Sequence, residues 1–409
     1  MAPLPLWGGM SIVMMAFSAV PVTAFALLAP NGLRMVADDR PPVVIRVVGV
    51  GGAGGNAVNG MLTTTRDVGV RFIAVNTDNQ ALTGVAADER LAIGRGCTGG
   101  LGAGGKPEVG QAAAEESREE LTQALSGADM VFVTAGMGGG TGTGAAPVVA
   151  AVAQELGCLT VAVVTTPFEF EGRKRAREAL AGLERLRDHC DTLLVIANDR
   201  LLQMVPGSMS MTDAFLVADD VLRQGVIGTS EIIMRPGLIN VDYADVRTVM
   251  KGAGTAHIGI GQGSGKSRAE DAAVGAICSP LLDFPLMQAS RIICNIVGGA
   301  GMSLAEVNTA ASVIQQNVDP DANIIVGALV DERVGEEVSV TVLATGFPAP
   351  ELAPEPLQRL PPPPPPPPPH PQWQQQSEAQ TPWVGGTQQE QPERRGFLGG
   401  LLGRRKRQR

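Results

Sequence analysis

Aromatic side chains make up only 3% of the 409 residues, with one tyrosine and three tryptophans. Core packing must therefore fall to Val, Ile, Leu and Ala within the 44% apolar content. Histidine is scarcer still. His189, His257 and His370 lie too far apart in sequence to suggest a metal cluster. The five cysteines (Cys97, Cys158, Cys190, Cys278 and Cys294) contain no C-x-x-C pair. They read as reduced, buried thiols of a non-oxidising compartment. Basic charge is also short: the formal net charge is -9, and the one dense basic run is the C-terminal RRKRQR. A nucleic-acid binder would carry its basic patch on the folded part, so that class is disfavoured.

No charged side chain occurs in the first 33 residues. A short apolar run, Met10 to Val20, precedes Val22-Thr23-Ala24, a small-residue pattern suited to signal-peptide cleavage. Prolines 3, 5 and 21 and glycines 8 and 9 disfavour a membrane-spanning helix there. Phe25 follows, then ALLAPNGLRMV. This arrangement resembles the bipartite presequences of algae with complex plastids and implies the plastid stroma. The alternative is a start site placed too far upstream, with a bacterial cytoplasm as the location.

Residues 1–42 thus read as a presequence, and a folded region opens at Val43 with VVIRVVGV. Further β-branched runs begin at Arg71, Ala128, Leu159 and Thr192, with helical stretches between them such as 107–125. Alternating strand and helix predicts an α/β fold with a parallel sheet covered on both faces. A long helix is expected over Met211–Met234, with Met211, Phe215, Ala218, Leu222, Val226 and Ile233 as its buried stripe, ended by Pro236-Gly237. This completes one domain, 43–235. Residues 236–347 carry four more strand patterns with hairpin-like spacing, which suggests a second, α+β domain. From Pro348 the chain turns Pro- and Gln-rich, a composition that cannot bury enough apolar surface to fold. Residues 348–395 read as a disordered linker and 396–409 as a basic amphipathic tail.

Two glycine clusters carry the chemistry. GVGGAGGNAVN follows the first strand and opens a helix, the setting in which backbone amides receive phosphate. Alone it fits a Rossmann oxidoreductase equally well, with Asp78 as a ribose partner. MGGGTGTGAAP follows another strand and opens another helix. Two converging loops suit a triphosphate, with Thr141 and Thr143 as hydroxyl donors and the glycines keeping side chains clear. The apparent P-loop at 259–267 fails on spacing, because Ile260 stands where its first glycine is required.

GGGTGTG, together with NTDNQAL, FEFEGRKR, DAFLVADDVLRQGV and RPGLINVDYADVRTVM, resembles the FtsZ family of tubulin-like GTPases from about Val44 to Gly346. The resemblance implies a tubulin-like GTPase domain with a Rossmann-like parallel sheet, a long central helix and a second α+β domain. It implies binding of GTP and GDP, with Mg2+ accompanying the nucleotide. Gly52, Ala53, Gly54, Gly55, Asn56 and Ala57 would form the first phosphate loop. Gly138, Gly139, Gly140, Thr141, Gly142, Thr143 and Gly144 would form the second. Glu171 and Arg175 would contact sugar and phosphate. Asn198 and Asp220 would read guanine, with Phe215 stacked on its face.

No acid or base near the glycine loops could orient the attacking water. Asp242 and Asp245 in NVDYAD are candidates, three residues apart where a helix begins, although either could be a helix N-cap. In the family this loop enters the neighbouring subunit's nucleotide site, so Asn240, Asp242 and Asp245 would act across a head-to-tail contact. Such a contact builds filaments. The implied function is a division-ring scaffold, with a paralogous subunit as a further candidate partner. The tail GFLGGLLGRRKRQR departs from the family's usual docking peptide. It suits direct contact with an anionic membrane or a membrane-tethering protein, and solubilising charge is the plainer alternative.

Overall fold

The computed structural model describes residues 43–64, 69–203, 209–235, 237–282 and 284–347. The presequence, Pro236, the linker and the tail lie outside the described residues. In chain order the elements begin with β1 (Ile45–Val50), α1 (Gly51–Thr64), β2 (Arg71–Asn76), α2 (Asn79–Thr83) and β3 (Glu89–Ala92). Next come α3 (Arg95–Thr98), α4 (Pro107–Glu116), α5 (Arg118–Leu125), β4 (Met130–Gly136), α6 (Gly140–Glu155) and β5 (Leu159–Thr166). The middle of the chain forms α7 (Arg173–Arg187), β6 (Thr192–Ala197), α8 (Asn198–Leu201), α9 (Met211–Met234) and α10 (Tyr243–Met250). The last elements are β7 (Gly254–Gly263), α11 (Arg268–Ile277), β8 (Arg291–Gly298), α12 (Leu304–Gln315), β9 (Asn323–Val330) and β10 (Val338–Thr345).

All ten strands join one sheet in the order β3-β2-β1-β4-β5-β6-β7-β10-β8-β9. From β3 to β7 the pairs are parallel. Their nearly unbroken apolar runs suit strands covered on both sides. Successive residues face opposite layers. Ile45, Val47, Met130 and Phe132 pack on the α1 and α9 side. Val48, Val50, Val131 and Val133 pack on the side of α4 to α7.

The second domain continues this sheet through a short seam, Thr192–Leu194 of β6 against Gly254–Ala256 of β7. Hairpins were expected there, and the pairing differs. β10 lies antiparallel between β7 and β8, while β8 and β9 run parallel with α12 crossing between them. A third core cluster packs between this half-sheet and α11 and α12.

Three local expectations need correction. The helix over 107–125 breaks at buried Ser117, whose hydroxyl accepts from Gly94 N at 3.1 Å, and so becomes α4 and α5. The stripe on α9 holds for Ala218, Leu222 and Val226, but Met211 and Phe215 are exposed. Cys97 and Cys278 are also exposed, while Cys158 and Cys294 are buried. Burial pushes the Cys294 thiol up to about 12.

Glycine packs α4 against α6. A Cβ on Gly144 would lie 2.0 Å from the Pro107 carbonyl oxygen and 2.6 Å from Gln111 N. Both obstacles are backbone, so neither can rotate away. Gly144→Ala is expected to cost about 1–3 kcal/mol or more of overpacking strain. Urea unfolding midpoints would show it, and an unchanged midpoint would mean the helices can separate freely.

Candidate functional site

β1 and β4 are adjacent and parallel, so the turns that follow them open at the same sheet edge. α1 starts at Gly51, and α6 starts at Gly140 with Gly139 as N-cap. The first amides of each helix lack intrahelical acceptors and carry the positive end of the helix dipole. Between them lies a cavity of about 350 Å³.

Of the first loop, Gly52 and Ala53 line this cavity. Gly54, Gly55 and Ala57 are buried instead, and Asn56 faces an adjoining groove between α1 and α9. Of the second loop, Gly139, Gly140, Thr141 and Gly142 line it, whereas Gly138, Thr143 and Gly144 do not. The Thr143 hydroxyl is spent inside the loop: it is fully buried and accepts from Gly138 N at 2.8 Å. Gly138 needs its glycine freedom, with φ at 90° against the Arg175 backbone. Many of these glycines therefore serve close backbone packing. Gly52 and Gly139 are different, because a Cβ there would meet nothing within 4 Å.

The opposite wall comes from three later segments. Glu171 and Arg175 line the cavity as an ion pair, and Glu171 Oε1 also accepts from Phe168 N at 3.0 Å. Asn198, at the first turn of α8, is only 5% exposed, and its Oδ1 has no partner among the described residues. An orphaned buried acceptor costs about 1–3 kcal/mol unless a donor reaches it. Phe215 packs at right angles to Phe168 with ring centroids 5.3 Å apart, and it lines the cavity.

Asp219, not Asp220, stands beside Phe215. Four residues apart on α9, the two share a face, and both line the cavity. Asp220 lies outside it and accepts from Arg223 Nε at 2.8 Å and Gln224 Nε2 at 2.6 Å. Burial pushes the Asp219 carboxyl up to about 6. The Phe215-to-Asp219 step was the available sequence signal, obscured by the Asp219-Asp220 doublet. Asp78 is committed as the cap of α2, accepting from Gln80 N at 2.8 Å and Ala81 N at 3.1 Å.

A third glycine-rich loop, 94–105, was not singled out in the sequence. It closes on the second, because Ala103 and the amides of Gly105 and Lys106 crowd the space beside Gly140. Thr77 ties the loops together. Its hydroxyl is 2.7 Å from the Thr141 hydroxyl, and its carbonyl accepts from Gly102 N at 3.1 Å.

Asn240, Asp242 and Asp245 are elsewhere. The part of α9 beyond Asp219, which lines the cavity, runs to Met234 and separates them from it by about 22 Å of helix. Tyr243 fixes their position, its hydroxyl donating to the Asp129 carbonyl at 2.8 Å, just before β4 starts. The cavity lies beyond the other end of β4. Asp242 holds the N-cap position of α10 without a side-chain cap bond. Asp242 and Asp245 are both exposed, and no hydrogen bond or ion pair among the described residues engages either carboxylate. Asn240 Oδ1 accepts from Gly237 N, which shapes the loop.

A dinucleotide-dependent oxidoreductase would use one glycine turn for its pyrophosphate. Paired turns facing a carboxylate and a buried amide, with a long helix leading into a second α+β domain, define the tubulin-like GTPase class. Residues 44–206 match the Tubulin/FtsZ family GTPase domain, and residues 254–348 match the FtsZ family C-terminal domain. The chain is 46% identical to FtsZ of M. jannaschii in a structure titled as an empty dimer. That match covers 74% of this chain and 88% of the other, with a TM-score of 0.72. CetZ2 of Haloferax volcanii, titled as a GTPgS-bound protofilament, shares the fold at 23% identity and TM-score 0.64, covering 75% of this chain and 93% of that one. The chain belongs to the FtsZ family and is a GTP-hydrolysing cytoskeletal protein.

Proposed function

We propose that the protein assembles head-to-tail into filaments of a division ring, and that each GTP is hydrolysed at a subunit contact. The supporting observation is the separation just described: the cavity and two unengaged carboxylates sit at opposite ends of α9. One subunit has half of a hydrolytic site at each end. Stacking two copies brings the halves together.

Within the cavity, the amides at the starts of α1 and α6 and the Thr141 hydroxyl would hold the phosphates. Asp219 would accept from guanine N1 and N2, Asn198 Oδ1 would take a further donor, and the ring would lie on Phe215. A carboxylate rewards guanine's donors and repels adenine's acceptor edge. Mg2+ would travel with the phosphates and neutralise their charge. Asn240, Asp242 and Asp245 of the adjoining subunit would hold water in line. Its oxygen bonds to the terminal phosphorus as the bridging P–O bond breaks. GDP departs, and the water's proton passes to a carboxylate.

Turnover per subunit is then expected to rise steeply with protein concentration. Phosphate release measured across a dilution series, alongside light scattering, tests this. Constant per-subunit turnover at dilutions where nothing scatters would defeat the shared-site reading.

The tail 396–409 would bring filaments to an anionic membrane or a tethering protein, and a paralogous subunit could enter the same contacts. The presequence pattern favours the plastid stroma, and N-terminal sequencing of the native protein decides it. Retention of Met1 to Ala24 would remove that reading.

A further inference from the structure

The cavity is short of positive charge. Among the described residues Arg175 is the one basic side chain lining it, and it is paired with Glu171. Asp219 adds another acid. Helix dipoles supply only about half a charge each, and a divalent cation travelling with the phosphates would offset only part of the several negative charges of a nucleoside triphosphate.

Lys106 stands at the edge of this deficit. Its backbone nitrogen lies 2.9 Å from where a Cβ of Gly140 would be, and Gly140 opens α6 and lines the cavity. Lys106 is exposed and, among the described residues, has no hydrogen-bond or ion-pair partner for its ammonium. It also occupies the N-cap of α4, where it makes no side-chain cap bond. Local physics disfavours it there: lysine has no acceptor for the free amides, and its charge opposes the helix dipole. Residues that break a local rule are expected at functional sites, and this one adjoins a phosphate loop.

We propose that Lys106 is a specificity residue for the terminal phosphate, reaching over Gly140 on its flexible stem as a mobile point charge. The proposal rests on the cavity holding GTP as described above. It assigns Lys106 the discrimination between triphosphate and diphosphate, which uncharged backbone amides shared among all the phosphates supply poorly. Asn at this position would cap α4 better and bind the triphosphate worse.

The test compares wild type, Lys106→Asn, Lys106→Ala and Lys106→Arg by calorimetric titration with GTPγS and GDP, and by melting without nucleotide. In Lys106→Asn and Lys106→Ala, affinity for GTPγS should fall about tenfold more than affinity for GDP, the scale of one charge-assisted contact. Lys106→Arg should keep most of the preference. Raising ionic strength should erode it in wild type but not in Lys106→Ala. Lys106→Asn without nucleotide should melt no lower than wild type. An unchanged GTPγS-to-GDP ratio, or equal losses for both nucleotides, overturns the assignment and leaves the cavity reading intact. Failure of wild type to bind either nucleotide overturns both.

Discussion

Asp245→Ala is expected to bind GTP as wild type does and to hydrolyse it at least about 100-fold more slowly, the scale of removing a group that positions or deprotonates the nucleophile. Binding should survive because Asp245 lies beyond the far end of α9, about four helical turns past the cavity-lining Asp219. Folding should survive because the exposed carboxylate makes no described contact. Filaments should still form, since GTP and the contact surfaces remain, and they should persist because nothing converts GTP to GDP within them. Mixing supplies a second test. Under the shared-site reading, each Asp245→Ala subunit silences the nucleotide of its neighbour. Asp245→Ala turning over GTP at the wild-type rate would remove the carboxylate from the mechanism.

Asp219→Ala should show the largest change in binding. Two charge-assisted hydrogen bonds to guanine, each worth about 1.5–3 kcal/mol, correspond to a loss of 100-fold or more in GTP affinity. Preference over ATP should collapse with it. Asp220→Asn should stay within a few-fold of wild type, because Asp220 is engaged with Arg223 and Gln224 outside the cavity. The sign of the pH dependence follows from burial, which raises the Asp219 carboxyl to about 6. Guanine's donors need the carboxylate form, so affinity should be level above that pH and fall about tenfold per unit below it. Binding near pH 6 should release a proton, and Asp219→Asn should flatten the profile. A pH-independent affinity in wild type, or an Asp220 variant weaker than the Asp219 variant, would reverse the assignment.

Much of the fold was legible because strands such as IRVVGV and MVFVTAG are apolar on both faces, which leaves a parallel sheet little alternative. The order of β7 to β10 was not legible. Local spacing cannot distinguish a hairpin from a strand inserted between two earlier ones, and β10 is inserted between β7 and β8. Within the site, Gly139 and Thr141 line the cavity as their motif suggested. The motif could not separate Thr141 from Thr143, because two residues along a helix turn the second hydroxyl inward. Asp219 and Asp220 differ in the same way, by 100° of helical rotation, and only packing shows which one meets the cavity. Lys106 escaped notice because a lone lysine after glycines reads as solvated charge until Gly140 is seen beside it.

The length of α9 acts as a ruler. In a head-to-tail stack the carboxylate loop of one copy must reach the phosphates of the next. The translation between copies then equals the distance from cavity to loop within one copy. That distance is roughly the 22 Å of helix from Asp219 to Met234 plus the span of the loop to Asp245, and it sets the filament repeat. Layer lines in electron micrographs measure this spacing, and a repeat far from it would mean that the two half-sites do not meet. Inserting one helical turn into α9 would lengthen the ruler by about 5 Å. Every contact along the polymer would be displaced at once, although no residue of either half-site had been touched.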